Sequence, residues 1–286
     1  MIDRRSFLKG TGATIAAATM GVQALAADGA SPAWKKAFML GTSKGPILPD
    51  FEALKAAGFQ GVELLSPNEL DRDEVLRARD KTGLIIHGVS GTKHWQQTLS
   101  DPDPKVVEIG LEAIRQEMVD VKAYGGTTVL VVPAVVTKDV SYRDAYKRSQ
   151  ANIRKLIPDA EKHGIKIAIE EVWNKFLLSP IEFARYIDEF ESPWVGAYFD
   201  VGNVVEFGYP QEWIRELGKR ILKIHIKEYK KERRFNYLLG EGEIDWPAVR
   251  AALIEVGYQG WITAEVPKKD LSDIVRRMDT LLKMSS

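Results

Sequence analysis

From about residue 35 the chain repeats one unit, a short apolar run followed by a longer amphipathic stretch, and it does so eight times. The apolar runs cover residues 37–41, 61–65, 84–89, 127–133, 166–172, 195–200, 221–227 and 260–266. Helix-like periodicity fills the intervals, at 49–57, 70–82, 105–124, 142–163, 180–189, 211–219, 246–256 and 271–284. Gly58, Gly83, Gly125, Gly164, Gly218 and Gly257 sit just past helical patterns, where a left-handed residue ends a helix. Strands that alternate with helices form parallel sheets, and eight such units predict one closed (β/α)8 TIM barrel of the α/β class. A chain of 286 residues suits a single domain of this kind, and no shift in composition marks a second one.

In such barrels the chemistry lies at the C-terminal ends of the strands. The fifth run ends on two adjacent glutamates, Glu170 and Glu171, in IAIEEVWNKFLLSP. Adjacent strand residues face opposite ways, so only one can point inward. Glu170 shares a face with Ala168, opposite Ile167 and Ile169, which makes Glu170 the inward residue and leaves Glu171 to the rim. The same count places Asp200 inward with Tyr198 and Gly196, and Glu265 inward with Thr263. It also places His225 inward with Lys223 and Lys227, and sets Leu222, Ile224 and Ile226 against the helices. Three converging carboxylates repel one another and raise one another's pKa unless a cation joins them. Glu170, Asp200, His225 and Glu265 therefore read as ligands of one divalent ion. The oxygen-rich donor set suits Mn²⁺ first, with Co²⁺ or Mg²⁺ as alternatives. Taken singly, each of these residues also has a structural reading, as a helix cap, a rim ion pair or a satisfied histidine.

The N-terminus carries a different signal. Arg4-Arg5 precede Phe7-Leu8-Lys9, an Ala-, Gly- and Thr-rich stretch and Ala24-Leu25-Ala26. This pattern predicts a twin-arginine export signal over residues 1–26, a linker over 27–34, and the barrel over 35–286. The stretch is too short and weakly apolar for a lasting membrane span, so the mature protein is expected in the periplasm or otherwise outside the cytoplasm, with no stable membrane insertion. Cleavage after Ala26 removes three basic residues and one acidic residue, leaving 37 against 39. A formal charge of zero for the whole chain argues against a nucleic-acid partner. The absence of cysteine excludes disulfides, zinc–thiolate sites and thiol catalysis.

The segments IAIEEVWNKFLLSP, AYFDVGN, KIHIKE, LGEGEIDW and TAEVP together resemble the xylose-isomerase-like barrels of the sugar-phosphate isomerase/epimerase family. The pentulose- and hexulose-phosphate 3-epimerase branch resembles them most, with ketose 3-epimerases as relatives. The resemblance covers nearly everything after residue 35. It implies that Glu170, Asp200, His225 and Glu265 bind one divalent metal. It further implies that Glu170 and Glu265 are the catalytic pair, moving a proton at C3 of a keto-sugar through a cis-enediolate. The chain departs from the free-ketose epimerases at Phe176, Asn203 and Lys231, where they carry Glu, His and Arg. The Asp-Val-Gly-Asn pattern with Asn203, and Lys227 two residues after His225, resemble the phosphosugar branch. Asn203 and Lys227 are therefore expected at the substrate.

His87 and His94 are placed at or beyond the end of the third strand. His94 and Trp95 are candidates to line a sugar pocket, the alternative being a loop histidine and a packed tryptophan. Trp173 and Asn174 are candidates to hold a substrate hydroxyl, the alternative being rim packing. Glu241 and Glu243 read as residues that shape the loop and cap a helix starting near Asp245. The expected partner is a small-molecule sugar; a homo-oligomer is compatible with the sequence. Isomerisation, or cleavage of 3-keto-glycosides by a lyase through the same proton abstraction, competes with 3-epimerisation. A non-catalytic periplasmic sugar-binding protein is the reading from another class, and bound metal separates it from the enzymes. A DNA-repair endonuclease on a related barrel would call for many histidines, and this chain has four.

Overall fold

Each of the eight apolar runs is a strand in the computed structural model, which describes residues 32–41 and 45–284. The strands are β1 (Lys35–Leu40), β2 (Gly61–Ser66), β3 (Ile85–Gly91), β4 (Thr128–Val131), β5 (Lys166–Glu170), β6 (Val195–Asp200), β7 (Ile221–Ile226) and β8 (Trp261–Ala264). All neighbours pair in parallel and β8 closes on β1, so the sheet is the expected eight-stranded barrel. The helices are α1 (Leu48–Ala57), α2 (Arg72–Thr82), α3 (Pro104–Tyr124), α4 (Tyr142–Arg154) and α5 (Ile157–His163). After them come α6 (Pro180–Asp188), α7 (Pro210–Leu217), α8 (Trp246–Glu255) and α9 (Leu271–Leu282). The signal over residues 1–26, with Arg4-Arg5 and the cleavage site, lies outside the described residues, as does most of the linker. No helix among the described residues is long and apolar enough to cross a membrane.

Local chemistry sets the helix ends. Asp103, Ser179 and Asp245 each accept a backbone N–H at the start of α3, α6 and α8, and a proline follows each within two residues. The single helical pattern expected over 142–163 is two helices. Pro158 has no N–H to give to the Arg154 carbonyl, so α4 ends there and α5 begins with Pro158 in its first turn. Gly58, Gly83, Gly125 and Gly164 close their helices in the left-handed conformation, as expected. Gly218 instead opens a short 3₁₀ turn, Gly218–Arg220.

The core has two layers. Residues of one parity, such as Phe38, Val62, Val129, Ile167, Phe199, Ile224 and Ile262, pack outward against the helices. A small inner cluster of Leu130, Val132, Ala168 and Tyr198 fills the barrel beneath its mouth. Leu222 departs from its expected outward placement. The β6–β7 register pairs Ala197 with Ile221 and Tyr198 with Lys223, so Leu222 is an extra residue and packs toward the inner cluster. A second irregularity lies between β2 and β3, where Val62 pairs with Ile86 and Glu63 with Gly88. His87 is the extra residue there. It therefore lies low in the barrel wall rather than at a strand end, stacked on Trp261.

Candidate metal centre and active site

The last four strands deliver Glu170, Asp200, His225 and Glu265 to the barrel mouth, with one ligand atom of each lying within 4.8 Å of the others. Glu170, Asp200 and His225 are buried, and Glu265 is partly so. His225 Nδ1 lies 2.9 Å from Glu170 Oε1 and 3.4 Å from Glu265 Oε2. Lys227 Nζ donates to Glu265 Oε2 at 2.9 Å and lies 3.3 Å from Asp200 Oδ2. Asp200 Oδ1 accepts from the backbone N–H of Gly202 and of Asn203, which fixes its plane and leaves Oδ2 without a hydrogen bond. A side chain at Gly202 would strike Lys227, so this turn needs glycine.

One group beneath the cluster, Glu63, escaped the sequence reading. Glu63, in the middle of β2 and fully buried, accepts from Tyr198 Oη at 2.6 Å and lies 3.0 Å from His225 Nε2. One ring nitrogen of His225 thus faces the carboxylates and the other is held by Glu63. A charge set in an otherwise apolar strand, on the inward parity, was the signal that could have found it. Deeper still, Tyr198, Thr263, His87 and Lys223 continue the hydrogen-bonded chain toward the other end of the barrel.

Electrostatics follow from burial and from these partners. Burial raises Glu170 to about 7 against the opposing pull of His225. Burial also raises Asp200, which Lys227 partly offsets. Burial would raise Glu265 too, but Lys227 and His225 outweigh it and hold this carboxyl well below the usual range. His225 is pulled down by burial and pushed up more strongly by Glu63, Glu170 and Glu265. Glu171 does not sit on the rim. It is buried behind Asp200 and accepts the Asp200 N–H at 3.0 Å, and burial, then Glu170, pushes its pKa well above the usual carboxylate range.

A cavity of about 440 Å³ opens above the cluster. Of the expected substrate residues, His94, Trp95, Trp173, Asn203 and Lys227 line it. Burial lowers His94 to about 4, so it is a neutral group there. Asn174 does not line the cavity. Its amide donates to the Ala134 carbonyl at 2.6 Å and accepts the Phe176 N–H, so its hydrogen-bonding capacity ties the loop after β5 to the loop after β4. Asn203 donates its amide to the Glu171 carbonyl. Trp173 packs edge-on against Phe235, 5.0 Å between centroids, and Phe235 carries Lys227 over its ring. Phe235 belongs to the loop after β7 and had no signature in the sequence. That loop is clamped by buried Glu228, which accepts from Trp246 Nε1 and the Gly240 N–H. The backbone passes so close to Glu228 at Gly242 that no side chain fits there. Asp245 caps α8, the role expected of Glu241 and Glu243, while Glu241 pairs with Arg277.

The donor set fits a divalent ion. Two buried carboxylates, a partly buried one and a buried imidazole converge, and Asp200 Oδ2 lacks a hydrogen-bond partner among the described residues.

Comparison with known proteins agrees with this architecture. Residues 1–21 match the model of the twin-arginine translocation pathway signal sequence, so the chain carries a signal for export out of the cytoplasm. The chain is 22% identical to the L-ribulose-5-phosphate 3-epimerase UlaE of Escherichia coli over 74% of its own length and 79% of that protein. Its fold superposes on D-allulose 3-epimerase from Methylomonas sp. with a TM-score of 0.75 at 19% identity, covering 88% of this chain and 98% of that one. The 3-keto-D-glucoside 4-epimerase of E. coli superposes with a TM-score of 0.73 at 20% identity, covering 88% and 100%. Residues 51–283 match the family model described as xylose isomerase-like TIM barrel, a stretch that holds all four converging side chains, and the chain belongs to that family.

Proposed function

We propose that the protein is a keto-sugar 3-epimerase that works with one divalent metal held by Glu170, Asp200, His225 and Glu265. The observation that carries this reading is the convergence of those four side chains under a sugar-sized cavity at the barrel mouth. The epimerases among its relatives and fold neighbours support it. A divalent ion bound there supplies Lewis-acid polarisation of a substrate carbonyl, and Mn²⁺ suits the oxygen-rich set. Glu170 ends β5 and Glu265 directly follows β8, with β6 and β7 between them, so a keto-sugar fits between the two carboxylates. One takes the proton from C3, giving a cis-enediolate, and the other returns a proton to the opposite face. Glu170 is set by His225 and Glu265 by Lys227, which orients each carboxylate toward the cavity. Trp173 and Trp95 offer faces for the C–H surface of the sugar and help exclude water.

The cavity favours an unphosphorylated sugar. Its cationic side chains are already engaged or neutral: Lys227 on Glu265 and Asp200, His225 on Glu63 and Glu170, and His94 uncharged near neutral pH. Export of the chain points the same way, because phosphosugars are chiefly cytoplasmic metabolites.

Proton NMR in D₂O of ketoses incubated with the Mn²⁺-loaded enzyme tests this reading. The expected result is exchange of the C3 proton and appearance of the C3 epimer. Glu170→Gln and Glu265→Gln should each lower exchange by about 10²–10⁴ while metal remains bound. Exchange at the wild-type rate in both variants would sink the two-carboxylate mechanism.

A further inference from the structure

A second cavity of about 610 Å³ lies beside the first, between the loop after β7 and the N-terminus of α9. Phe235 is a wall of both. A third space, of about 440 Å³, shares Met39 and Glu265 with the metal cavity and Val266 and Pro267 with the second cavity. Three consecutive residues, Glu265-Val266-Pro267, thus border the spaces from the metal cluster to the second cavity.

We infer that the substrate is a disaccharide-sized glycoside, whose reacting keto-sugar ring occupies the metal cavity and whose second ring occupies the cavity beyond Phe235. This rests on the epimerase reading and names its substrate class. A single sugar ring is accommodated by the metal cavity alone and leaves the larger neighbouring cavity without a purpose. The chemistry of the second cavity matches a sugar ring, which has an apolar C–H face and a hydroxyl edge. Tyr237 and Leu238 give an aromatic and an aliphatic wall, and Leu238 remains 47% exposed with nothing over it among the described residues. Asn236 and Asp270 stand at its edge, with the Asn236 amide donating to the Arg233 carbonyl and Asp270 Oδ1 accepting the Asp273 N–H. The formal charges are matched, Arg233, Lys269 and Arg277 against Glu241, Asp270 and Asp273, and Arg277 is saturated by Asp273 and Glu241. A net-neutral ring of this kind selects an uncharged group over a phosphate.

Calorimetric titration of the Mn²⁺-loaded enzyme with lactulose, D-fructose and D-fructose 6-phosphate tests the inference. Lactulose carries a second ring on a ketose and should bind about tenfold or more tightly than fructose. Leu238→Trp fills the second cavity from its exposed wall and should abolish that preference while leaving fructose binding unchanged. Tyr237→Ala removes the aromatic wall instead of filling the space, and should weaken lactulose alone. Equal binding of lactulose and fructose to the wild type, tighter binding of the phosphate, or equal losses for both sugars in the two variants would overturn the inference. The same samples, followed by NMR in D₂O, separate the two readings. Tight lactulose binding without C–H exchange from any sugar removes the epimerase and keeps the subsite. Equal binding and exchange of fructose and lactulose removes the subsite and keeps the epimerase.

Discussion

Glu63 shows how one buried carboxylate governs a proposed ligand it does not replace. It holds His225 Nε2, which fixes the ring so that Nδ1 faces the Glu170 and Glu265 carboxylates. Carboxylate partners of metal-binding histidines typically contribute 10–100-fold to affinity. Glu63→Gln keeps the size and the acceptor but loses the charge. The expected outcome is a fall in Mn²⁺ affinity of about 10–100-fold, read by competition against a chelator of known affinity. An unchanged metal affinity with a lowered melting temperature would make Glu63 merely structural. Strand parity made Glu170 legible in the sequence, because a period of two is all the inference needs. Parity could not place Glu171 and Asn174. Beyond the strand end the chain leaves the pleat, and Glu171 folds back under Asp200 while Asn174 braces two loops.

At the scale of elements, the eight strands and most helix ends followed from periodicity and capping residues, but parity counts fail at an irregular strand. The extra residues at His87 and Leu222 reverse the facing of what precedes them, and no local sequence signal marks either. The loop after β7 was equally illegible, because its shape comes from the long-range acceptor Glu228 rather than from turn residues. Helix α3 carries a consequence of its own. Its inward Glu117 is buried, one carboxylate oxygen lacks a partner among the described residues, and burial with nearby Asp120 raises its pKa well above 4.5. The folded chain therefore keeps this proton, whereas the unfolded chain loses it above about 4.5. The resulting contribution to stability is present in acid and declines as pH rises, by up to about 1.4 kcal/mol per pH unit. Glu117→Gln removes the titration. Denaturant unfolding at pH 5 and pH 8 should show the variant gaining on the wild type as pH rises. A constant difference between the two pH values would rule this out.

For the whole molecule, an export signal and a closed barrel have to be reconciled. The twin-arginine match over residues 1–21 implies that Arg4-Arg5→Lys-Lys leaves the protein in the cytoplasm with its signal attached. Fractionation and N-terminal sequencing check this, and the mature chain is expected to begin near Ala27. Secretion at the wild-type level in that variant would argue for a different route. The barrel closes only when β8 pairs with β1, strands drawn from opposite ends of the described chain. Glu265 follows directly on β8, so it leaves the ribosome 95 positions after Glu170, a delay of roughly 5–20 s at about 5–20 residues per second. Over the last 40 positions of that interval Glu170, Asp200 and His225 exist without Glu265 and without a closed wall around them. The complete pocket is thus a product of the finished chain, formed after synthesis of the last strand. An export route that takes folded proteins would let that final step, and loading of the proposed metal, take place on the ribosome's side of the membrane.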